Sequence, residues 1–162
     1  MSYQQILEDV RQKMEGIAGI GVVHNYQRWS ADWKKFLQHF AYTPEGSDQQ
    51  EIRGWTISRA AALEHLRGAY FRHHIFKLRG YMGLKDDAAT EVTFQELIED
   101  ICDMFRSAEP VDPAANWYYL YGDEPDEDSA QVEVIDIRVF GSTLCHYAEL
   151  TVHCMERIVP TM

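Results

Sequence analysis

Histidine and carboxylate are the residue types here from which chemistry would first be asked: the chain holds His 7 and Asp+Glu 26. Together they could bind a metal or move a proton. The densest grouping is His73, His74, His146 and His153. His73 and His74 adjoin in an extended run and so point to opposite faces. His146 and His153, seven apart in another, do the same. Neither pair reaches one ion without a bulge, and no HExxH occurs. The histidines read as surface or interface residues, and neither a metal nor a cofactor is expected. A cysteine nucleophile would need a thiolate, and Cys145 beside His146 is the one suggestive neighbour. Adjacent strand residues diverge, so Cys102, Cys145 and Cys154 read as small buried hydrophobes. GxSxG, P-loop and GxGxxG motifs are absent. No catalytic residue is assigned, and the chain reads as a non-enzyme.

Two other groups are candidates for contact. Arg67, Arg72, His73, His74, Lys77 and Arg79 are interleaved with Tyr70, Phe71, Phe76 and Tyr81. A basic, aromatic strand can be a nucleic-acid platform. The plainer reading is an exposed face that meets carboxylates of a neighbouring element or subunit, which makes Arg72, Lys77 and Arg79 interface candidates. The second group, Trp117, Tyr118, Tyr119, Leu120 and Tyr121, lies in an aperiodic stretch from Glu109 to Ala130. That stretch contains Pro110, Pro113 and Pro125 and the acidic run Asp123 to Asp128. Five large apolar residues do not belong on a solvated loop. Either they dock on a partner, or they pack back on their own sheet as an edge strand.

These residues need elements to hold them. Ile6, Leu7, Val10, Met14 and Ile17 recur at helical spacing behind a Ser2 cap, and Gly16 and Gly19 end that helix. Ile20 to Tyr26 reads as a strand. A short helix capped by Ser30 carries the stripe Trp33, Phe36, Leu37 and Phe40. Glu51 to Arg59 alternates as a strand, Ala60 to Leu66 is ambiguous, and Tyr70 to Tyr81 is a long strand with two mixed faces. Thr93-x-x-Glu96 opens a helix to Ser107, with Phe94, Leu97, Ile98, Ile101 and Phe105 buried. Val132 to Phe140, Gly141-Ser142 and Leu144 to Arg157 form a hairpin whose alternation gives the sheet one dry and one wet side. The order predicts a single α+β domain over 1–162, with a mostly antiparallel sheet and helices packed on one face.

Composition narrows the function. Lys+Arg 15 against Asp+Glu 26 leave a net charge of -11, which repels a nucleic acid or an anionic membrane. Three cysteines without a CxxC argue against a disulfide framework and a structural zinc site. No signal-type apolar segment or membrane-length run is seen, so a soluble, unprocessed protein is expected.

The layout resembles the tail-terminator proteins of tailed bacteriophages. The resemblance runs through the amphipathic helix ending in Gly16-Ile17-Ala18-Gly19-Ile20-Gly21, the strand through Tyr26, and Ile52-Arg53-Gly54-Trp55. It continues through the strand Arg72 to Tyr81, the helix after Thr93-x-x-Glu96, and His146-Tyr147-Ala148-Glu149. It implies a virion structural protein assembled in the host cytoplasm: a hexameric ring that caps the tail tube, ends its polymerisation and joins tail to head. The implied partners are further copies of the chain, the tail tube protein and a head-completion or connector protein, with DNA crossing the lumen without specific binding. The acidic segment Glu109 to Asp128 departs from that pattern. The rival expectations are another neck or head-tail connector protein, a small soluble enzyme with a His/Glu site, and a bacterial adaptor.

Overall fold

The computed structural model describes residues 2–120 and 130–159. Along the chain run α1 (Ser2–Glu15), β1 (Val22–His24), α2 (Trp33–Gln38), β2 (Ala41–Tyr42), β3 (Glu51–Leu66) and β4 (Tyr70–Gly83). They are followed by α3 (Thr90–Arg106), β5 (Trp117–Tyr119), β6 (Ala130–Phe140) and β7 (Thr143–Ile158). The strands form a 7-stranded sheet in the order β1-β3-β4-β7-β5, with β2 also on β3 and β6 also on β7. Every pairing is antiparallel except β1 with β3. The class is α+β, as expected.

Alternation decides which side of the sheet is dry. Trp55 and Ile57 of β3, Phe76 and Leu78 of β4, and Ala148, Leu150, Val152 and Cys154 of β7 face one way. They meet Ile6, Val10 and Met14 of α1 and Phe94, Ile98, Ile101 and Phe105 of α3 in one core. This is the helix face. The opposite, open face is polar over much of its area, but α2 closes one end of it. There Phe36, Leu37 and Phe40 pack on Tyr81, Phe140, Cys145 and Tyr147 in a second apolar cluster, so this side is not wet throughout.

Several local expectations are corrected. The ambiguous Ala60–Leu66 segment continues β3, paired to β4 as far as Leu66↔Tyr70. The register shifts between Arg59 and Ala61, so Ala60 is the extra residue of a bulge. The cap of α2 is Asp32, whose carboxylate accepts from the Lys34 amide at 2.9 Å, and not Ser30. Helix α3 starts at Thr90, one turn before the Thr93 capping box. Ala89 before it takes a left-handed backbone (φ 51), and the Thr90 hydroxyl lies 2.9 Å from the Lys85 amide and 2.8 Å from His146 Nε2. Ser2 is the first described residue of α1 and not a cap outside it.

Candidate functional site

The register of β3, β4 and β7 places the candidate residues. On β4, Lys77 and Arg79 point to the open face and Arg72 to the helix face, so the three do not form one patch. Lys77 Nζ lies 3.3 Å from Glu149 and 3.5 Å from Glu133; Arg79 donates to Ser58 Oγ at 3.1 Å, with Glu149 at 3.9 Å. Glu133 reaches this face because β6 carries its own bulge between Val132 and Val134, and there it also accepts from Thr151. Arg72 donates to Glu64 at 2.6 Å across the hairpin. The basic strand is thus balanced by carboxylates of its own chain.

Trp117 and Tyr119 correct the docking expectation. Strand β5 adds to β7 through Trp117↔Glu156 and Tyr119↔Cys154, and both side chains enter the main core at 5% and 0% exposure. The edge-strand alternative is what forms, leaving these two rings unable to meet a partner. Between them Tyr118 turns to the open face and is 47% exposed, so it alone of the three is available for contact. Tyr121 and the acidic run Asp123 to Asp128 lie outside the described residues.

The histidines separate as their alternation requires. His74 and His146 face the helices, and His73 and His153 the open side. His73 Nε2 and His153 Nδ1 are 2.8 Å apart, with the His65 ring 6.2 Å from that of His73. His74 is fully buried and lies 2.8 Å from Glu156, itself 1% exposed. Neither pairing was visible in the sequence, since each joins residues about eighty positions apart that only the β4–β7 register brings together. Among the described residues no group of three or more His, Cys, Asp or Glu side chains is placed to hold a metal. Burial pushes the thiol of Cys145 up to about 11 and raises those of Cys102 and Cys154, so all three are held as thiols.

Comparison with known proteins finds no matching family and no curated relative. The surfaces therefore have to speak for themselves.

Two of them are apolar, exposed and far apart. On β6, Val132, Ile135, Ile137 and Val139 face the helix side at 40–61% exposure, beside α3. At the opposite edge of the sheet, β3 and β4 run on past β1 as an arm, with β7 beside β4 as far as Tyr70↔Ile158. It ends in the Arg67–Ala69 turn, with Leu63, Leu66 and Tyr70 at 47%, 69% and 51% exposure.

The histidine environments predict a pH dependence. His24, His73, His74 and His146 are all held below the ordinary imidazole value, burial being the first cause in each, and His73 is lowered to about 4 with the neighbouring His153 adding to the effect. In the unfolded chain they bind protons near pH 6.5. A base whose folded value is depressed leaves the unfolded state holding more protons below that pH, so stability falls as pH falls from about 7 toward 4 and is unaffected above. Between pH 7 and 5 the expected loss is about 1–2 kcal/mol after allowance for solvent around the partly exposed His24 and His73 rings, a drop of several degrees in Tm. Thermal midpoints at fixed ionic strength check this, and His73→Gln should flatten the slope. A midpoint that rises on acidification refutes it.

Proposed function

We propose that the chain is a ring-forming structural subunit of a tailed-phage virion, which caps the tail tube, ends its polymerisation and joins the tail to the head. The observation that carries the reading is the pair of unlike apolar surfaces at opposite edges of one sheet: the β6 stripe and the tip of the β3–β4 arm. A patch that pairs with its own twin makes a dimer, whereas two different patches at opposite edges join head to tail, into a ring where the rotation between subunits closes. The resemblance of the sequence layout to tail terminators is what suggests the class of ring and six as its subunit number. The net charge of -11 suits a channel wall that lets DNA pass without holding it.

The experiment adds the purified protein to polymerising tail-tube protein of the phage that carries it. Tubes should stop lengthening, and negative-stain images should show an annular density at one end only. Tubes that grow to the same lengths with bare ends would rule the function out.

A further inference from the structure

The two apolar surfaces are also matched in charge and in backbone. Beside β6 the seam between α3 and the sheet opens into a groove of about 410 Å³, floored by Ile98, Val132 and Ile135 and rimmed by Glu99, Asp103 and Arg106, with the half-buried Cys102 in its wall. A smaller hollow of about 270 Å³, also lined by Ile135, continues it along the helix. The charged residues that line the two hollows are Glu91, Glu99, Asp103 and Asp136 against Arg106 alone, and Arg106 is bound to Asp103 at 2.8 Å. This seam is acidic.

The arm has the opposite sign. From Arg59 to Arg72 it carries three arginines against Glu64; Arg59 lies over the Tyr3 ring and Arg72 is held by Glu64 with Glu156 of β7 4.0 Å away, so the charge it offers is Arg67, exposed at the tip between Leu66 and Tyr70. Backbone groups are left over on both sides too. Strand β1 covers the outer edge of β3 only through Thr56, and β2 covers it only at Glu51 and Ile52; among the described residues no strand pairs with that edge from Ile57 onward. Among the described residues no strand pairs with the outer edge of β6 either. Long unpaired edges with apolar side chains are templates for another strand.

We propose that the arm of one copy docks on the α3–β6 seam of the next. Leu66 enters the groove, Arg67 meets the carboxylates on its rim, and the free edge of β3 extends the neighbour's sheet at β6. The occupant is a second copy of this chain because the arm supplies what suits the groove: an exposed arginine for carboxylates that outnumber Arg106, an exposed leucine and an unpaired strand edge. The contact is heterologous, so each subunit gives an arm on one side and a groove on the other, and the sheet continues around the assembly. The inference rests on the ring reading for its second copy and adds which surfaces meet.

Cysteine trapping tests it on the full chain, because Cys102 already lines the groove while Cys145 and Cys154 are buried. Leu66→Cys, at a position 69% exposed where the fold tolerates change, should give a disulfide-linked ladder of dimers, trimers and higher species under mild oxidation. Adding Cys102→Ser should abolish it. As a second arm, Leu66→Asp and Ile135→Asp should each weaken self-association at least tenfold, measured by sedimentation. Their equimolar mixture should form a 1:1 pair, since it still contains one intact arm and one intact groove. No ladder, a ladder that survives Cys102→Ser, or a mixture that stays monomeric would overturn the docking. Rings that cap tubes without any ladder leave the proposed function standing on another interface, whereas a ladder with no effect on tubes leaves the interface standing and the function fallen.

Discussion

Replacing Asp9 with alanine is expected to cost about 3–5 kcal/mol, the range for removing one partner of a buried charged pair. Asp9 is 6% exposed in the middle of α1 and serves three donors. One carboxylate oxygen accepts from the Val111 amide at 2.9 Å; the other accepts from the Tyr119 hydroxyl and lies 3.3 Å from Lys13 Nζ. Burial pushes the Tyr119 phenol far above its ordinary value, so it stays a donor. The carboxylate therefore ties helix α1 to the segment that leads into β5 and to β5 itself. Truncation strands an ammonium that is 14% exposed and a hydroxyl inside the core. Asp9→Asn keeps an acceptor for Val111 and should cost less, about 1–3 kcal/mol. Urea midpoints at pH 7 with an unchanged m-value would measure both, and a loss under about 1 kcal/mol for the alanine variant would show that the tie does not hold the fold.

Gly80 gives the second large effect. It lies opposite Trp55 in the β3–β4 register, and a Cβ there would come within 2.5 Å of the Trp55 Cη2 and Cζ3 atoms. The ring cannot swing away, because it is fully buried and stacked on Phe94 with 5.8 Å between centroids. Gly80→Ala should therefore cost about 3 kcal/mol through overpacking. Trp55→Leu alone should cost about as much through the cavity it leaves. Together they should cost at least about 1 kcal/mol less than the sum, because the smaller side chain makes room for the methyl. Strict additivity in a double-mutant cycle would mean that the two residues do not compete for the same space.

How far these features were legible depends on whether their cause is local. The stripes of α1 and α3 and the β6–β7 hairpin are written in spacing alone, and they form. Ala60–Leu66 was ambiguous because a run of alanines carries no period. It is a strand because β4 lies beside it. The start of α3 moved from Thr93 to Thr90 because the Thr90 hydroxyl is used by Lys85 and by His146 of β7, a partner no local pattern announces. Strand β5 stayed one of two alternatives because in Trp117-Tyr118-Tyr119 every residue is aromatic, so alternation had no polar contrast to decide between docking and an edge strand. The split of Arg72 from Lys77 and Arg79 followed from period two, but their partners Glu64, Glu133 and Glu149 depended on register. The α3–β6 seam was not legible, since a helix rim and a strand edge become one groove only when packed.

The unpaired Ala60 has a consequence for how this chain can change over time. Beyond it the pairs run from Ala61↔Ile75 to Leu66↔Tyr70, with His65 and Leu63 on the open face and Glu64 opposite Arg72. Loss of that one codon would keep each of these pairs while removing the local bend, since a bulge adds a residue on one strand only. The contacts of the arm and the direction in which it points are thus inherited separately. A lineage can re-aim Leu66 by one deletion without rebuilding any neighbour, while a substitution that merely flattened the bulge would slip the register and turn every side chain beyond it over.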